Sequence, residues 1–371
     1  MSEINKNFTK HIDNNLIDPT NTHTSNNKRA MIAMSGGVDS SVAAFLIKQQ
    51  GYDTAGVTLK LFNNEDVGIS REKSCCSLED IEDARSVACR LGIPYYTYNF
   101  SDQFKNKVID RFVNAYMCGS TPNPCIDCNR YIKFEQLMHR ALLLEFDYVV
   151  TGHYAIIEKD ATSGRYLLRK ATDETKDQSY VLYSLTQKQL AMTLFPLGRL
   201  EKNEVRQIAE TNGFINANKQ DSQDICFVRD GDYAGFIEQY TGQKLDAGHF
   251  VDKDGKILGT HKGIIRYTIG QRKGLGISFT EPMYICDILP KENRIVLGNE
   301  QELYSKSLTA TQINLISCDS ICSPLKVKAK IRYRQREQSA TVEQVGEDKL
   351  HIEFDTPQRA ITKGQSVVLY D

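Results

Sequence analysis

The chain has 371 residues, of which 40% are hydrophobic and 25% are charged, and its formal net charge is -1. This length exceeds what one core usually organises, so we expect several domains. No apolar run approaches the roughly 18 residues of a membrane span. Residues 1–28 lack a signal-peptide core and are rich in Asn, Thr and Asp, which predicts a disordered tail. The sequence predicts a cytoplasmic protein without a membrane partner.

The first elements form a strand, a loop and a helix. An apolar run from Ala30 to Met34 precedes a Gly turn and an amphipathic stretch that carries Val38, Val42 and Leu46 on one face. Similar units follow, with strands at 54–59, 95–98 and 148–151 and helices at 78–91, 103–116, 130–144 and 201–211. This alternation predicts a parallel sheet covered by helices, in a domain over 29–226.

Beyond residue 227 the pattern changes to short alternating segments. Asp254-Gly255 is a hairpin signal, and a Gly-rich basic stretch covers 266–277. We expect a small β-containing domain over 227–280, whose basic Gly-rich stretch is either a mobile hairpin or an RNA-binding loop. Runs at 327–331, 350–354 and 366–370 predict a C-terminal antiparallel β-barrel over 281–371. The fold class is therefore α/β, with a parallel-sheet N-terminal domain followed by two β-containing domains.

A phosphate-binding loop is indicated by Ser35-Gly36-Gly37-Val38-Asp39-Ser40, which follows the first strand and opens a helix. Backbone N–H groups and the helix dipole converge there on one anion site. The loop lacks the lysine of the GxxxxGK[ST] motif and does not fit GxGxxG, which favours pyrophosphate over a γ-phosphate or a dinucleotide. The alternative is a plain turn in which Ser or Asp caps the helix. The loop resembles the signature of the PP-loop pyrophosphatase superfamily, whose members have an adenine nucleotide alpha hydrolase-like fold.

Ten cysteines in a chain without a secretion signal indicate reduced thiols. Two of them, Cys125 and Cys128, form a Cys-x-x-Cys behind two prolines, so a rigid loop presents thiols where a helix begins. A third, Cys226, lies in Asp-Ile-Cys-Phe, flanked by acidic and apolar residues. The spacing does not decide whether Cys226 pairs with Cys128.

Four further motifs accompany the phosphate loop in a fixed order: TPNPxxxCN at 121–129, KDQSY at 176–180, DSQDICF at 221–227 and GQRKGLG at 270–276. Together they resemble the tRNA-specific 2-thiouridylase family, MnmA, from about residue 29 to residue 370. The argininosuccinate, GMP and NAD synthetases share the phosphate loop alone. The resemblance implies ATP-dependent 2-thiolation of the wobble uridine of tRNA.

The resemblance also implies roles for particular residues. Asp39 and the nucleophile Cys128 would be catalytic, and Cys226 would carry a persulfide. The residues implied to bind ATP, with Mg²⁺, are Ala33, Met34, Ser35, Gly36, Gly37, Val38, Asp39, Ser40, Leu59 and Gly152. Those implied to contact tRNA are Asn123, Pro124, Cys125, His153, Lys176, Asp177, Gln178, Arg332, Tyr333 and Gln365. The implied sulfur-donating partner is a persulfide relay protein or a cysteine desulfurase.

The sequence departs from the family at Cys125, where many members carry Asp. Cys125, Cys128 and Cys226 are therefore also candidate ligands of an iron-sulfur cluster with one open iron for sulfide. We prefer the persulfide route, because Cys-x-x-Cys with one distant Cys also suits thiol exchange. The chain stops at Asp371, where family members often continue into another short strand, so we expect closure of the barrel, though not catalysis, to be affected.

Other interpretations remain open at this stage. Arg332, Tyr333, Arg334 and Arg336 form a predicted basic strand, which is either an RNA-binding face or a solvated edge. His153 follows a strand end, where ligand sites gather, but a single His is often a hydrogen-bonded structural residue. Rival functions are an amidating synthetase with the same loop and a tRNA-binding protein without catalysis.

Overall fold

The computed structural model describes residues 28–62, 78–221, 224–228 and 231–371, so the predicted tail at 1–28 lies almost wholly outside the described residues. The chain divides into two compact units. In described residues the first unit comprises 28–62, 78–104 and 128–221, and the second comprises 105–127, 224–228 and 231–371. The segment 105–127, which the sequence places in the N-terminal domain, therefore clusters with the second unit.

A five-stranded parallel sheet forms the centre of the first unit, in the order β3-β2-β1-β4-β7. Its strands are β1 (Arg29–Ala33), β2 (Asp53–Lys60), β3 (Tyr95–Asn99), β4 (Tyr148–Val150) and β7 (Thr193–Leu194). The first four confirm the predicted strands. The fifth was not predicted, because a two-residue strand is too short to show a pattern.

Helices accompany the sheet in the first unit. They are α1 (Val38–Gln49), α2 (Leu78–Leu91), α3 (Ser101–Phe104), α6 (Leu137–Leu143), α7 (Ser179–Leu182), α8 (Gln187–Ala191) and α9 (Lys202–Thr211), with a π-helical segment at Cys128–Gln136 and a hairpin of β5 (Ile156–Lys159) and β6 (Tyr166–Arg169). Ile32, Val42 and Ile47 are fully buried in the core between sheet and helices. Gly213 has φ +62° just beyond α9, in the left-handed conformation that commonly ends a helix.

The second unit contains a mixed four-stranded sheet in the order β10-β11-β8-β9. Its strands are β8 (Gly248–Val251), β9 (Ile257–His261), β10 (Tyr284–Leu289) and β11 (Arg294–Gly298). Gly255 has φ +83° in the connection between β8 and β9, which confirms the predicted hairpin. Because β11 pairs with β8, strands beyond residue 280 belong to the same sheet as those before it.

Helices in the second unit are α4 (Asp110–Met117), α5 (Pro124–Asp127) and α10 (Tyr233–Thr241), with a π-helical segment at Lys105–Ile109. The sequence predicted no helix at 233–241. Its ends are nevertheless specified locally, because the Asp232 carboxylate accepts a hydrogen bond from the Gly235 N–H and Gly242 closes the helix at φ +66°. Among the described residues no helix is long and apolar enough to cross a membrane.

The C-terminal region forms a five-stranded antiparallel sheet in the order β12-β15-β14-β13-β16. Its strands are β12 (Tyr304–Thr311), β13 (Leu325–Lys330), β14 (Gln338–Gly346), β15 (Lys349–Arg359) and β16 (Val368–Tyr370). The prediction of a basic strand at 332–336 is wrong, since these residues lie in the connection between β13 and β14. A turn in which the Gln335 N–H donates to the Arg332 carbonyl interrupts the ladder there.

Candidate active site

The phosphate loop joins β1 to α1 in the first unit. Gly36 has φ +77°, and a Cβ at this position would overlap the backbone of Asp80, so only glycine fits. Gly37 precedes the helix with extended backbone, and no side chain caps α1. The hydroxyls of Ser40 and Ser41 both donate to the Gly37 carbonyl at 3.0 Å. The alternative of a side-chain cap is therefore not observed, and the loop presents a helix N-terminus suited to an anion.

Asp39, in the first turn of α1, accepts three hydrogen bonds from side chains distant in sequence. The Tyr154 hydroxyl donates to Oδ1 at 2.7 Å, and the Lys202 ammonium donates to Oδ1 at 2.7 Å and to Oδ2 at 2.9 Å. Lys202 is only 7% exposed. Burial, followed by the charge of Asp39, raises the pKa of Tyr154 far above its ordinary value, so Tyr154 remains a donor.

Lys202 also contacts a second carboxylate. Its ammonium lies 2.7 Å from Asp221, which is paired in addition with Lys176 at 2.8 Å and with Arg206 at 3.4 Å. Burial alone would raise the pKa of Asp221, but the hydrogen bonds and charges of Lys176 and Lys202 bring it below its ordinary value. Asp221 therefore stays ionised, and the buried Lys202 is shared between two carboxylates.

Gly152, at the end of β4, lies against the start of α1. A Cβ there would come within 2.8 Å of the Asp39 carbonyl carbon and of the Ser40 nitrogen. Leu59 lies on β2, two residues beyond the β1 partner of Ala33. The structure thus brings most of the residues predicted to bind ATP to one end of the parallel sheet, where nucleotide sites of such folds occur.

Asn216 is a residue of this site that sequence reasoning missed, as it missed Tyr154 and Lys202. Its side-chain amide is 2% exposed and donates to the Gly36 carbonyl and to the Ser41 hydroxyl, both at 2.9 Å. It fixes the loop from a point 180 positions away in the chain. No motif marks Lys202 or Asn216, so the sequence offers no signal for either residue.

The predicted tRNA-contact residues of the first unit are held by local hydrogen bonds. Asp177 accepts from the Ala171 and Ser179 N–H groups and from the Ser179 hydroxyl. The Gln178 side chain accepts from the Tyr154 N–H at 2.9 Å. These residues therefore belong to a fixed turn beside the phosphate loop.

His153 is buried, with 7% of its surface exposed. Its Nδ1 lies 2.7 Å from the Thr151 hydroxyl, and its Nε2 lies 3.4 Å from the Lys133 ammonium. Burial, and then the Lys133 charge, lower the pKa of His153 well below its ordinary value. The ring is therefore neutral and hydrogen-bonded, as the structural interpretation requires, while its predicted contact with tRNA stays a prediction.

In the second unit, several hydrogen bonds hold the loop that precedes the Cys-x-x-Cys. The Asn123 side chain accepts from the Cys125 N–H at 3.1 Å. Thr121 donates its N–H to the Lys363 carbonyl at 2.9 Å, and its own carbonyl accepts from the Gln365 amide at 2.5 Å. Gln365, predicted to contact tRNA, therefore also braces the loop that carries Cys125.

The three implied cysteines fall in different parts of the chain. Cys125 is exposed on α5 in the second unit, Cys128 is half-buried at the start of a π-helical segment in the first unit, and Cys226 is half-buried in the second unit. Phe227, next to Cys226, packs on Phe112 with ring centroids 5.3 Å apart. Within the described ranges no three His, Cys, Asp or Glu side chains form a metal-binding group, so the cluster interpretation gains no structural support.

Arg332 contacts the chain beside β15. Its guanidinium donates to the Ala360 carbonyl at 2.5 Å and to the Thr362 hydroxyl at 2.8 Å. Part of its hydrogen-bonding capacity is therefore used inside the second unit. The neighbouring Arg334 and Arg336 are exposed.

Family models match almost all of the described chain. Residues 28–230 match the tRNA methyl transferase HUP domain, residues 234–299 match its PRC-barrel domain and residues 305–371 match the aminomethyltransferase beta-barrel domain. The chain is 56% identical over 345 residues to the tRNA-specific 2-thiouridylase MnmA of Clostridioides difficile strain 630, covering 93% of this chain and 95% of the relative. The chain belongs to the MnmA family of tRNA-specific 2-thiouridylases.

A second MnmA, MnmA 1 of Thermoanaerobacter sp. strain X514, is 52% identical over 346 residues, with 93% of this chain and 95% of the relative covered. These matches confirm the family predicted from the five motifs, and the HUP-domain match with the parallel sheet confirms the fold class. Among solved structures, the NMN synthetase of Francisella tularensis matches with a TM-score of 0.35 and 15% identity over 60% of this chain and 79% of that one.

Proposed function

We propose that this chain is an ATP-dependent tRNA-uridine 2-sulfurtransferase that acts on the wobble uridine. The observation that carries the proposal is the loop 35–41 at the start of α1, where Asp39 is held by Lys202 and Tyr154. This arrangement occurs in a chain of which 93% aligns with an MnmA relative at 56% identity. The relative is a tRNA-specific 2-thiouridylase, which indicates the reaction. The loop offers a binding site for the ATP that this reaction uses.

The first step is the activation of the uracil C2 carbonyl, which is a poor electrophile. The C2 oxygen attacks the α-phosphorus of ATP, and pyrophosphate leaves with the electron pair of the broken P–O bond. Backbone N–H groups at the start of α1 bind the phosphates, and glycines at positions 36 and 37 allow close approach. The Asp39 carboxylate would be a ligand for Mg²⁺ that accompanies ATP, and this ion would neutralise charge on the departing pyrophosphate.

The second step replaces the activated oxygen by sulfur. The terminal sulfur of a Cys226 persulfide attacks C2, and AMP leaves with the electron pair of the C2–O bond. The Cys128 thiolate then attacks the Cys226 Sγ, which forms a disulfide between the two cysteines. The electron pair of the broken S–S bond stays on the transferred sulfur, which becomes the thiocarbonyl. An external thiol then reduces the disulfide, and a persulfide relay protein or cysteine desulfurase reloads Cys226.

We assign tRNA binding to polar and basic residues of both units. Flipped bases are held by hydrogen bonds to their edges and by stacking, while Lys and Arg hold the RNA backbone. The target base would contact the loop at Asn123, Pro124 and Cys125. The remaining tRNA contacts would come from His153, Lys176, Asp177, Gln178, Arg332, Tyr333 and Gln365.

The purified chain, incubated with ATP, a persulfide donor and unmodified tRNA bearing a wobble uridine, should form 2-thiouridine, measured by nucleoside mass spectrometry. Cys226→Ala and Cys128→Ser should abolish the product but retain tRNA-dependent pyrophosphate release, because activation precedes sulfur transfer. Cys89→Ser, which alters an exposed cysteine of α2, is the matched control and should keep full activity.

Failure of the wild-type chain to form 2-thiouridine would overturn the assignment. Thiolation by Cys226→Ala would refute the persulfide route. Iron and sulfide retained in active protein after anaerobic purification would favour the cluster at Cys125, Cys128 and Cys226 instead.

A further inference from the structure

Two separate connections join Asp39 of the phosphate loop to residues 176–178, which the proposed function assigns to tRNA. The first passes through Tyr154, whose hydroxyl donates to Asp39 at 2.7 Å. The backbone of Tyr154 exchanges two hydrogen bonds with Gln178, because its N–H donates to the Gln178 side chain at 2.9 Å and its carbonyl accepts from the Gln178 N–H at 2.8 Å. Tyr154 is 2% exposed, so this connection lies inside the protein.

The second connection consists of charged groups. Lys202 bridges Asp39 and Asp221, with a distance of 2.7 Å to each carboxylate, and Asp221 pairs with Lys176 at 2.8 Å. All of these residues belong to the first unit. Lys202 is buried and the carboxylates of Asp39 and Asp221 are partly buried. These charges are therefore screened less than charges in water, so a change at one end alters the balance at the other.

We propose that Lys202 and Tyr154 are positioning residues that couple the binding of ATP to the binding of tRNA. The inference rests on the proposed function, which supplies ATP at one end of the network and tRNA at the other. Neither residue needs to touch the reacting atoms.

The charges predict the sign of the coupling. A tRNA phosphate that engages Lys176 removes part of the neutralisation of Asp221. Lys202 then pairs more strongly with Asp221 and less strongly with Asp39. The Asp39 carboxylate would therefore be more available to the cation that accompanies ATP. Bound tRNA therefore tightens ATP binding, and by linkage bound ATP tightens tRNA binding by the same factor.

The coupling is measured as the ratio of the dissociation constants of a non-hydrolysable ATP analogue, with Mg²⁺, without and with saturating unmodified tRNA. In the wild-type chain the ratio should be about five or more, the lower end of usual allosteric factors. Lys202→Met should bring it towards one. Tyr154→Phe keeps the ring but removes the hydroxyl, so it should lower the ratio and serves as a second variant if Lys202→Met folds poorly.

The matched control is Lys219→Met. The Lys219 ammonium also bridges two carboxylates, those of Asp80 and Asp83, at 2.6 Å each. Its link to the Asp39 network is through its backbone carbonyl, which accepts from Arg206 and which Lys219→Met leaves in place. Its variant should keep the wild-type ratio. A wild-type ratio of one, or Lys202→Met and Tyr154→Phe variants that bind both ligands with an unchanged ratio, would overturn the coupling. Neither result depends on the outcome of the thiolation assay. Failure of that assay would instead overturn the proposed function.

Discussion

At the scale of single residues, His153 shows how burial limits what a side chain does. The sequence left two interpretations open, a contact with tRNA and a structural role. The ring lies among Phe134 and Phe195, with centroids about 6 Å away, and its Nδ1 lies 2.7 Å from the Thr151 hydroxyl. Burial disfavours the charged ring, and protonation would also place a charge next to Lys133, so the fold lowers the pKa of His153 and stabilises the neutral ring.

This burial predicts a pH dependence of stability. The folded-state pKa of His153 lies below the unfolded value of about 6.5. Its contribution is therefore complete above pH 6.5 and is lost as the pH falls towards the folded-state pKa. Urea unfolding should show a free energy that drops by up to about 1.4 kcal/mol per pH unit for this one group between pH 6.5 and 5.5.

His153→Gln, which removes the titrating ring, should show a smaller drop over the same interval. His261 also has a pKa lowered by burial, so some pH dependence should remain. His261→Gln, in the second unit, is the matched control, because it removes a different buried histidine and leaves His153 in place. An identical pH dependence in the wild-type chain and in His153→Gln would contradict the interpretation.

At the scale of elements, the contact between the end of β4 and the start of α1 fixes the phosphate loop. Gly152→Ala should weaken binding of an ATP analogue by at least about tenfold, since a Cβ 2.8 Å from the Asp39 and Ser40 backbone displaces the first turn. We also expect a loss of about 1–3 kcal/mol in unfolding free energy, as for overpacked sites. Calorimetric titration and urea unfolding measure the two effects.

Gly346→Ala is the control, because a Cβ at this position meets no atom within 4 Å. Its variant should bind the analogue as the wild-type chain does. Unaltered ATP affinity in Gly152→Ala would show that the start of α1 does not form the phosphate site.

The sequence predicted helix α2, which has a regular pattern, but not strand β7, which depends on a distant contact. Helix α2 was predicted with its observed ends, Leu78–Leu91, because its apolar spacing is periodic. Strand β7 has two residues and forms only beside β4, so no local signal marks it. The site divides in the same way: the loop 35–41 is a motif, whereas Lys202 acquires its role only when the fold places it 2.7 Å from Asp39.

At the scale of the whole molecule, charge determines how an RNA can be held. The net charge of -1 gives no overall attraction, so binding depends on local groups such as the exposed Arg334 and Arg336. Affinity for tRNA, measured by filter binding between 50 and 200 mM salt, should fall steeply with salt. Arg334→Ala with Arg336→Ala should weaken binding and reduce the slope of log K against log salt by about one per lost phosphate contact.

Arg85→Ala, which removes an exposed arginine from α2 in the first unit, is the control and should leave the slope unchanged. An unchanged slope in the double variant would place the RNA away from the connection between β13 and β14.

The aromatic packing around Phe112 bears on how the chain is made. Its ring contacts Phe227 and Phe236, more than a hundred residues later in the sequence. At the usual rate of synthesis, the ribosome needs on the order of 10 s to deliver those partners after Phe112 emerges. During that interval Phe112, which is buried in the finished protein, lacks the partners that are synthesised later. Chaperone demand should therefore peak midway through translation, and chains released before residue 236 should aggregate.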